Sequence, residues 1–182
     1  MPYSRKANSL KSQKVYPIAL NVLYAKADKN NKEQHMIVRR STADDLQQLA
    51  LLFDEYRQFY GASSQLELSY NFLKQRFENQ ESVIFIHVKD EVITGFILLY
   101  LGFSSVACST YYILDDVYVT PLYRRQGSAR QLIDTAILFA RHENALRLSL
   151  ETQKTNHQSH QLYQSMGFVK DDEFQTYHCF LK

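Results

Sequence analysis

Downstream of residue 36 the chain alternates between two hydrophobic periods, and the changes of period mark its elements. A short β-rich run at residues 37–39 leads to Thr42 with Asp45 three residues on, a capping-box spacing that opens a helix. Leu46, Leu49, Ala50, Phe53 and Tyr56 form its apolar stripe. A loop at residues 61–64 precedes a second helix, near residues 66–78, with Leu66, Tyr70, Leu73 and Phe77 on one face. Strands at residues 83–89 and 92–101, joined by the tight Asp90-Glu91 turn, are followed by a third at 110–119, and together they read as an antiparallel meander. After Gly127, Ala129, Leu132, Ile133, Ala136, Ile137 and Ala140 fall at helical spacing. A short strand at 146–150, a helix at 156–166 ending at Gly167, and strands near Phe168 and at 174–181 complete the predicted order β, α, α, β, β, β, α, β, α, β, β.

The junction between the third meander strand and the next helix carries the chemistry. The strand breaks at Pro121 into Arg124-Arg125-Gln126-Gly127-Ser128-Ala129-Arg130, a basic turn that opens the helix. The first turn of a helix has unpaired N–H groups and the positive end of the dipole, and a glycine there lets backbone approach a bound anion. Arg124, Arg125 and Arg130 add charge where phosphate oxygens would sit.

Composition narrows the classes. At 182 residues, 45% hydrophobic and 13% aromatic, the chain can bury one substantial core, and it holds no repeat and no apolar run long enough to cross a bilayer. Seven Lys or Arg against two acids fall in residues 1–35, and fourteen against seventeen in the remainder. The basic character therefore belongs to the first 35 residues, read as a flexible or loosely docked extension before a domain at 36–182. Its apolar run is interrupted by Pro17 and Asn21 and flanked by lysines, which argues against an export signal. Met36 stands where a start codon could lie. A mildly acidic domain argues against a nucleic-acid partner and for a cationic substrate. Cys108 and Cys179 make neither a disulfide framework nor a zinc spacing, and are expected as reduced core thiols; His157 and His160 lack a third ligand, so no metal site is expected.

Arg124-Arg125-Gln126-Gly127-Ser128-Ala129 is similar to the (Q/R)-x-x-G-x-(G/A) signature of the GNAT N-acetyltransferase superfamily. The downstream order also resembles that family: the strand ending at Leu150, Glu151-Thr152, Asn156, then Leu162-Tyr163-Gln164-Ser165-Met166-Gly167-Phe168. The resemblance spans about residues 37–182 and is densest over 114–168. It implies an α/β (α+β) fold, a mixed, mostly antiparallel sheet splayed at the cofactor cleft and flanked by helices. It further implies acetyl-CoA as cosubstrate, its pyrophosphate on the loop Arg124, Arg125, Gln126, Gly127, Ser128, Ala129 and Arg130, and its pantetheine arm along the backbone of Val117, Tyr118 and Val119. Asn156 either caps the last helix or bonds the cofactor arm, two compatible roles.

Amine acetylation needs a group to accept the amine's proton and benefits from a donor to the departing thiolate. Tyr163 occupies the tyrosine of the family's L-Y-x-x-x-G-(F/W) segment and is the candidate donor. Asp115, Asp116 and Glu151 are the candidate bases; by strand alternation just one of Asp115 and Asp116 is expected to face the cleft. The acceptor side is expected from the first two helices and their loop, where Asp54, Glu55, Tyr56, Arg57, Phe59 and Tyr60 lie; of these Glu55, Tyr56 and Tyr60 suit a cationic amine. The leading expectation is an acetyl-CoA-dependent N-acetyltransferase acting on a primary amine of a small cationic molecule in a ternary complex. The alternatives are a protein lysine or N-terminal acetyltransferase, and a non-catalytic acyl-CoA-binding module. A cytoplasmic location, no membrane contact and a homodimer accord with the family.

Overall fold

The computed structural model describes residues 36–181, and the expectations for residues 1–35 lie outside them. Strand β1 (Met36–Arg40) leads through Thr42 into a 3-10 turn, Ala43–Asp45, that runs on into helix α1 (Leu46–Phe59). Asp45 accepts the Thr42 backbone N–H at 2.7 Å, as the capping-box spacing predicts, and is held by Arg39 through two 2.7 Å hydrogen bonds. Helix α2 (Leu66–Glu78) follows, with Ser69 and Leu73 buried and Leu66, in its first turn, exposed. Strands β2 (Ser82–Lys89), β3 (Val92–Ser104) and β4 (Ser109–Val119) form the meander; a 3-10 turn (Pro121–Tyr123) then leads to α3 (Ser128–His142), β5 (Leu148–Leu150) and α4 (His157–Ser165).

The five strands pair in the order β1-β2-β3-β4-β5, antiparallel except for the parallel β4–β5 pair. One face packs on α1 and α2 around Leu49, Phe53, Leu73, Ile86, Phe96 and Leu98; the other packs on α3 and α4 around Phe85, Ile97, Leu99, Leu132, Ile133 and Phe139. Because helices cover both faces, β2 is buried without alternation from Val83 to Val88, apolar but for His87. Gly95 on β3 sits where a Cβ would come within 2.8 Å of the Tyr118 carbonyl oxygen and 3.0 Å of Val119, so a bare backbone there lets β4 close on β3.

The β2–β3 turn places two ordinary residues in left-handed backbone, Asp90 at φ 49° and Glu91 at φ 67°. Two-residue hairpins favour this conformation, but glycine and asparagine adopt it at much lower cost. The double change Asp90→Asn, Glu91→Gly is expected to raise the free energy of unfolding by about 1 kcal/mol. Urea titration measures the shift; unchanged or reduced stability contradicts it.

Three expectations need correction. No strand forms over residues 168–181: β5 offers only three ladder residues, the charged run from Lys170 to Glu173 breaks the apolar pattern, and Phe174, Tyr177 and Phe180 lie exposed. Cys108 and Cys179 are free but not in the core, because one sits at the β3–β4 turn and the other in that terminal segment. Asp54, expected near the acceptor, is buried and serves structure instead, accepting hydrogen bonds from Ser64 Oγ, the Gln65 backbone N–H and Ser69 Oγ at 2.6, 2.9 and 3.0 Å. These bonds hold its carboxyl below the usual range, Ser64 first.

Candidate active site

Strands β4 and β5 meet over three residue pairs only, Tyr112–Leu148, Ile113–Ser149 and Leu114–Leu150. Beyond Leu114 they diverge, and a cavity of about 570 Å³ lies at the gap. Its walls come from the C-terminal end of α1 (Tyr56, Phe59, Tyr60), from β4 (Asp115, Val117, Tyr118, Val119), from the loop and first turn of α3, and from Glu151, Asn156 and Tyr163.

The loop has backbone geometry that could receive an anion. Arg125 and Gly127 both take positive φ, 63° and 87°, which turns successive backbone N–H groups toward one side. The first helical bond of α3 runs from Gln131 N–H to the Gly127 carbonyl at 3.0 Å, so the N–H groups of Ser128, Ala129 and Arg130 have no helical acceptor. A Cβ placed on Gly127 would meet nothing within 4 Å; the space above the glycine is open. A pyrophosphate fits this cradle by charge and by room. Gln126 Nε2 donates to the Leu122 carbonyl at 3.1 Å and steadies the turn, while Arg130 donates to Ser165 Oγ at 2.6 Å and ties α3 to α4. Asn156 caps α4, its Oδ1 accepting from Ser159 N–H at 3.2 Å, and also lines the cavity.

The acids depart from simple alternation. Tyr112, Leu114, Val117 and Val119 all belong to the core beneath α3, which leaves an interval of three between Leu114 and Val117. The ladder with β3 is irregular at that point: Leu98 faces Asp116 and Leu99 faces Leu114, so Asp115 is the extra residue of a β-bulge. Asp115 and Asp116 therefore both turn to the α1 side, where Tyr56, Tyr100 and Tyr118 pack. Asp115 lines the cavity directly, whereas Asp116 is buried behind Tyr56.

Burial pushes the Asp116 carboxyl up to about 6, against a hydrogen bond from Tyr56 that lowers it and with the Asp115 charge adding to the rise. Asp115 is raised by burial and then by Glu151. Desolvation first, and then these acids, push the Tyr56 hydroxyl well above its ordinary range and that of Tyr100 up to about 12. Tyr163 is buried, and burial lifts its hydroxyl to about 12. The site thus holds phenols that keep their protons beside carboxyls that titrate late.

Because its native pKa is raised, Asp116 keeps a proton in the folded state between the ordinary aspartate value and about 6 that the unfolded chain has already lost. Stability falls as pH rises through that window, and the full cost, on the order of 2–3 kcal/mol, is present above it. Asp116→Asn is expected to raise the melting temperature at pH 7 and to lose that advantage below about pH 4. Thermal melts at the two pH values test this; a destabilised variant at pH 7 would contradict it.

Comparison with known proteins decides the family. Residues 49–168 match the profile of the acetyltransferase (GNAT) family. The chain belongs to that family. It is 37% identical over 142 residues to the uncharacterized N-acetyltransferase YhfO of Bacillus subtilis (strain 168), an alignment covering 78% of this chain and 95% of the relative. It is 27% identical over 128 residues to the thialysine N-epsilon-acetyltransferase of Caenorhabditis elegans, covering 70% and 79% of the two chains. The crystal structure of a probable acetyltransferase superposes with a TM-score of 0.76 at 37% identity, covering 80% of this chain and 97% of the other. This GNAT chain is an acetyltransferase with the mixed, mostly antiparallel sheet of its family.

Of the residues singled out from sequence, the cavity brings together Tyr56, Tyr60, Asp115, Val117, Tyr118, Val119, Arg124, Arg125, Gly127, Ser128, Ala129, Arg130, Glu151, Asn156 and Tyr163. Glu55 is set back from it, its carboxylate accepting from the Tyr118 hydroxyl at 3.4 Å, and Gln126 faces the turn. Sequence reasoning missed Tyr100, which shares the acids' environment, and Thr152, Gln158 and Ser159 on the α4 side of the cavity. Only the pairing of β3 with β4 would have signalled Tyr100. Among the described residues no cluster of His, Cys, Asp and Glu could hold a metal, and no helix is long and apolar enough to cross a membrane.

Proposed function

We propose that this acetyltransferase moves the acetyl group of acetyl-CoA to a primary amine of a small cationic molecule by direct attack within a ternary complex. The observation that carries the reading is the bulge in β4, which turns Asp115 and Asp116 to one side of the gap beside Tyr56, with Glu151 close enough to raise Asp115. Carboxylates with aromatic walls attract an ammonium group, and a carboxylate whose own proton affinity is raised can then accept its proton. The C. elegans relative is named for the ε-amine of thialysine, which accords with this class of acceptor.

In this reading the N–H groups of Ser128, Ala129 and Arg130, with the Arg125 side chain, hold the pyrophosphate of acetyl-CoA, which supplies the activated acetyl thioester when bound. Val117 offers main-chain groups to the pantetheine arm, as an added strand would use them. An alkylamine with a lysine-like pKa gives up about 4 to 5 kcal/mol to become neutral at pH 7. Asp115 faces the cavity and accepts that proton, its proton affinity raised by burial and then by the charge of Glu151. Tyr163 presents a protonated hydroxyl toward the departing thiolate.

A thiol-release assay with the full chain, acetyl-CoA and a panel of primary amines tests the reading. The expected result is CoA release that requires a cationic primary amine, is absent with the tertiary-amine counterpart, and falls away on an acid limb that lies above the ordinary aspartate range, as the raised Asp115 takes its proton. Turnover confined to peptide N-termini or protein lysines would overturn the small-molecule assignment. Tight acetyl-CoA binding with no release across small amines and peptides would leave an acyl-CoA-binding module.

A further inference from the structure

Arg124 opens the signature loop, yet its guanidinium does not face the anion cradle. Its Nε donates to the Val119 carbonyl at 2.8 Å, and its Cζ lies 5.4 Å from the centre of the Tyr118 ring and 5.7 Å from that of Phe59. Phe59 belongs to the last turn of α1; its ring meets Tyr60 edge-on at 5.2 Å, and Tyr60 meets Tyr56 at 5.1 Å. All of these residues line the same cavity. One guanidinium thus joins β4, the strand that borders the cofactor loop, to the aromatic wall at the end of α1. Phe59 and Tyr60 are more than half exposed, at 60% and 51%, so little of the core holds them in place.

We propose that Arg124 is a positioning residue for the acceptor amine rather than a phosphate ligand. It fixes the Phe59–Tyr60 wall against the cofactor-side strand, so acceptor affinity depends on Arg124, while acetyl-CoA affinity depends on Arg125 and the backbone N–H groups from Ser128 to Arg130. A cation over two aromatic faces, with a third tie to a carbonyl, suits the planar, weakly hydrated guanidinium and not an ammonium. By occupying the Val119 carbonyl, Arg124 also leaves Val117 as the nearest β4 carbonyl open to a pantetheine amide.

The assignment rests on the acceptor lying at the α1 wall, so its test has one arm that needs no acceptor. The chain contains no tryptophan, and Phe59→Trp installs a single reporter at the contact. Adding Arg124→Gln to that variant is expected to shift its emission to the red and to increase acrylamide quenching, as the indole loses the guanidinium. Unchanged emission would overturn the contact. In the kinetic arm, Arg124→Gln in the wild-type background is expected to raise the acceptor KM about tenfold, with acetyl-CoA Kd altered less than about threefold. Arg124→Lys is expected to fall between, and Phe59→Leu to raise the acceptor KM without adding to the effect of Arg124→Gln. Arg125→Ala is expected to show the opposite split. A tenfold loss of acetyl-CoA affinity in Arg124→Gln, with acceptor KM unchanged, would make Arg124 a phosphate ligand and overturn the proposal. A red shift with no change in acceptor KM would keep the contact but overturn its role in acceptor binding, placing the acceptor elsewhere.

Discussion

Gly127→Glu is expected to abolish acetyl-CoA binding, with Kd rising by at least about a hundredfold in a protein that still folds. The glycine sits at φ 87° immediately before α3, and a side chain built on it points into open space, not into the core. The fold therefore bears only the left-handed backbone strain, about 1 to 2 kcal/mol. The proposed cofactor site would bear much more, because a carboxylate would enter the space beside the Ser128, Ala129 and Arg130 N–H groups and would repel a phosphate held there. Gly127→Ala separates the two costs: it carries the same strain without the charge and is expected to weaken binding about tenfold. Calorimetric titration beside a circular-dichroism melt checks both variants. Wild-type affinity in a folded Gly127→Glu protein would remove the loop from the cofactor site.

Tyr163→Phe is expected to lower kcat about a hundredfold while leaving acetyl-CoA affinity within about threefold. Tyr163 is buried among the side chains beneath α3, with Phe168 packed edge-on against it at 5.6 Å, so a phenylalanine keeps the packing. What it removes is a hydroxyl whose pKa burial lifts to about 12. A thiol near 8.5, by analogy with cysteine, is the stronger acid by more than three units, so full proton transfer from Tyr163 would be uphill by about 5 kcal/mol. In the proposed mechanism the hydroxyl therefore serves as a hydrogen-bond donor to developing negative charge on sulfur, with solvent completing the protonation. That distinction is measurable: the rate should show no alkaline limb from Tyr163 below about pH 11, and a poorer thiolate leaving group should suffer more from the mutation. Unchanged kcat in Tyr163→Phe would reduce the residue to a core aromatic.

The order of elements was legible from α1 to α4, because each has a clean period and its breaks fall at Pro121, Gly127 and Gly167. Helix and strand ends moved by a few residues, as ends do when capping and ladder geometry decide them. The backbone shape of the loop before α3 was legible too, since a glycine and the start of a helix define it. What could not be read depends on side-chain direction. Strand alternation assigned one acid of the Asp115-Asp116 pair to each side, but alternation presumes a regular ladder, and the bulge turns both the same way. Similarly, the signature names an arginine at 124 without saying where its guanidinium points, and aromatic neighbours on α1, 65 residues away in sequence from Arg124, decide that. The terminal strands failed for a related reason: an apolar, β-prone run becomes a strand only beside an edge long enough to pair with it.

Hydrogen exchange with and without acetyl-CoA, read by mass spectrometry on the full chain, tests the location of the cleft without any mutation. Protection is predicted at Val117 to Val119 and across Arg125 to Arg130, with none in α2. Protection confined to other segments, or none at a saturating concentration of acetyl-CoA, would contradict the assignment of the cleft between β4 and β5 as the cofactor site.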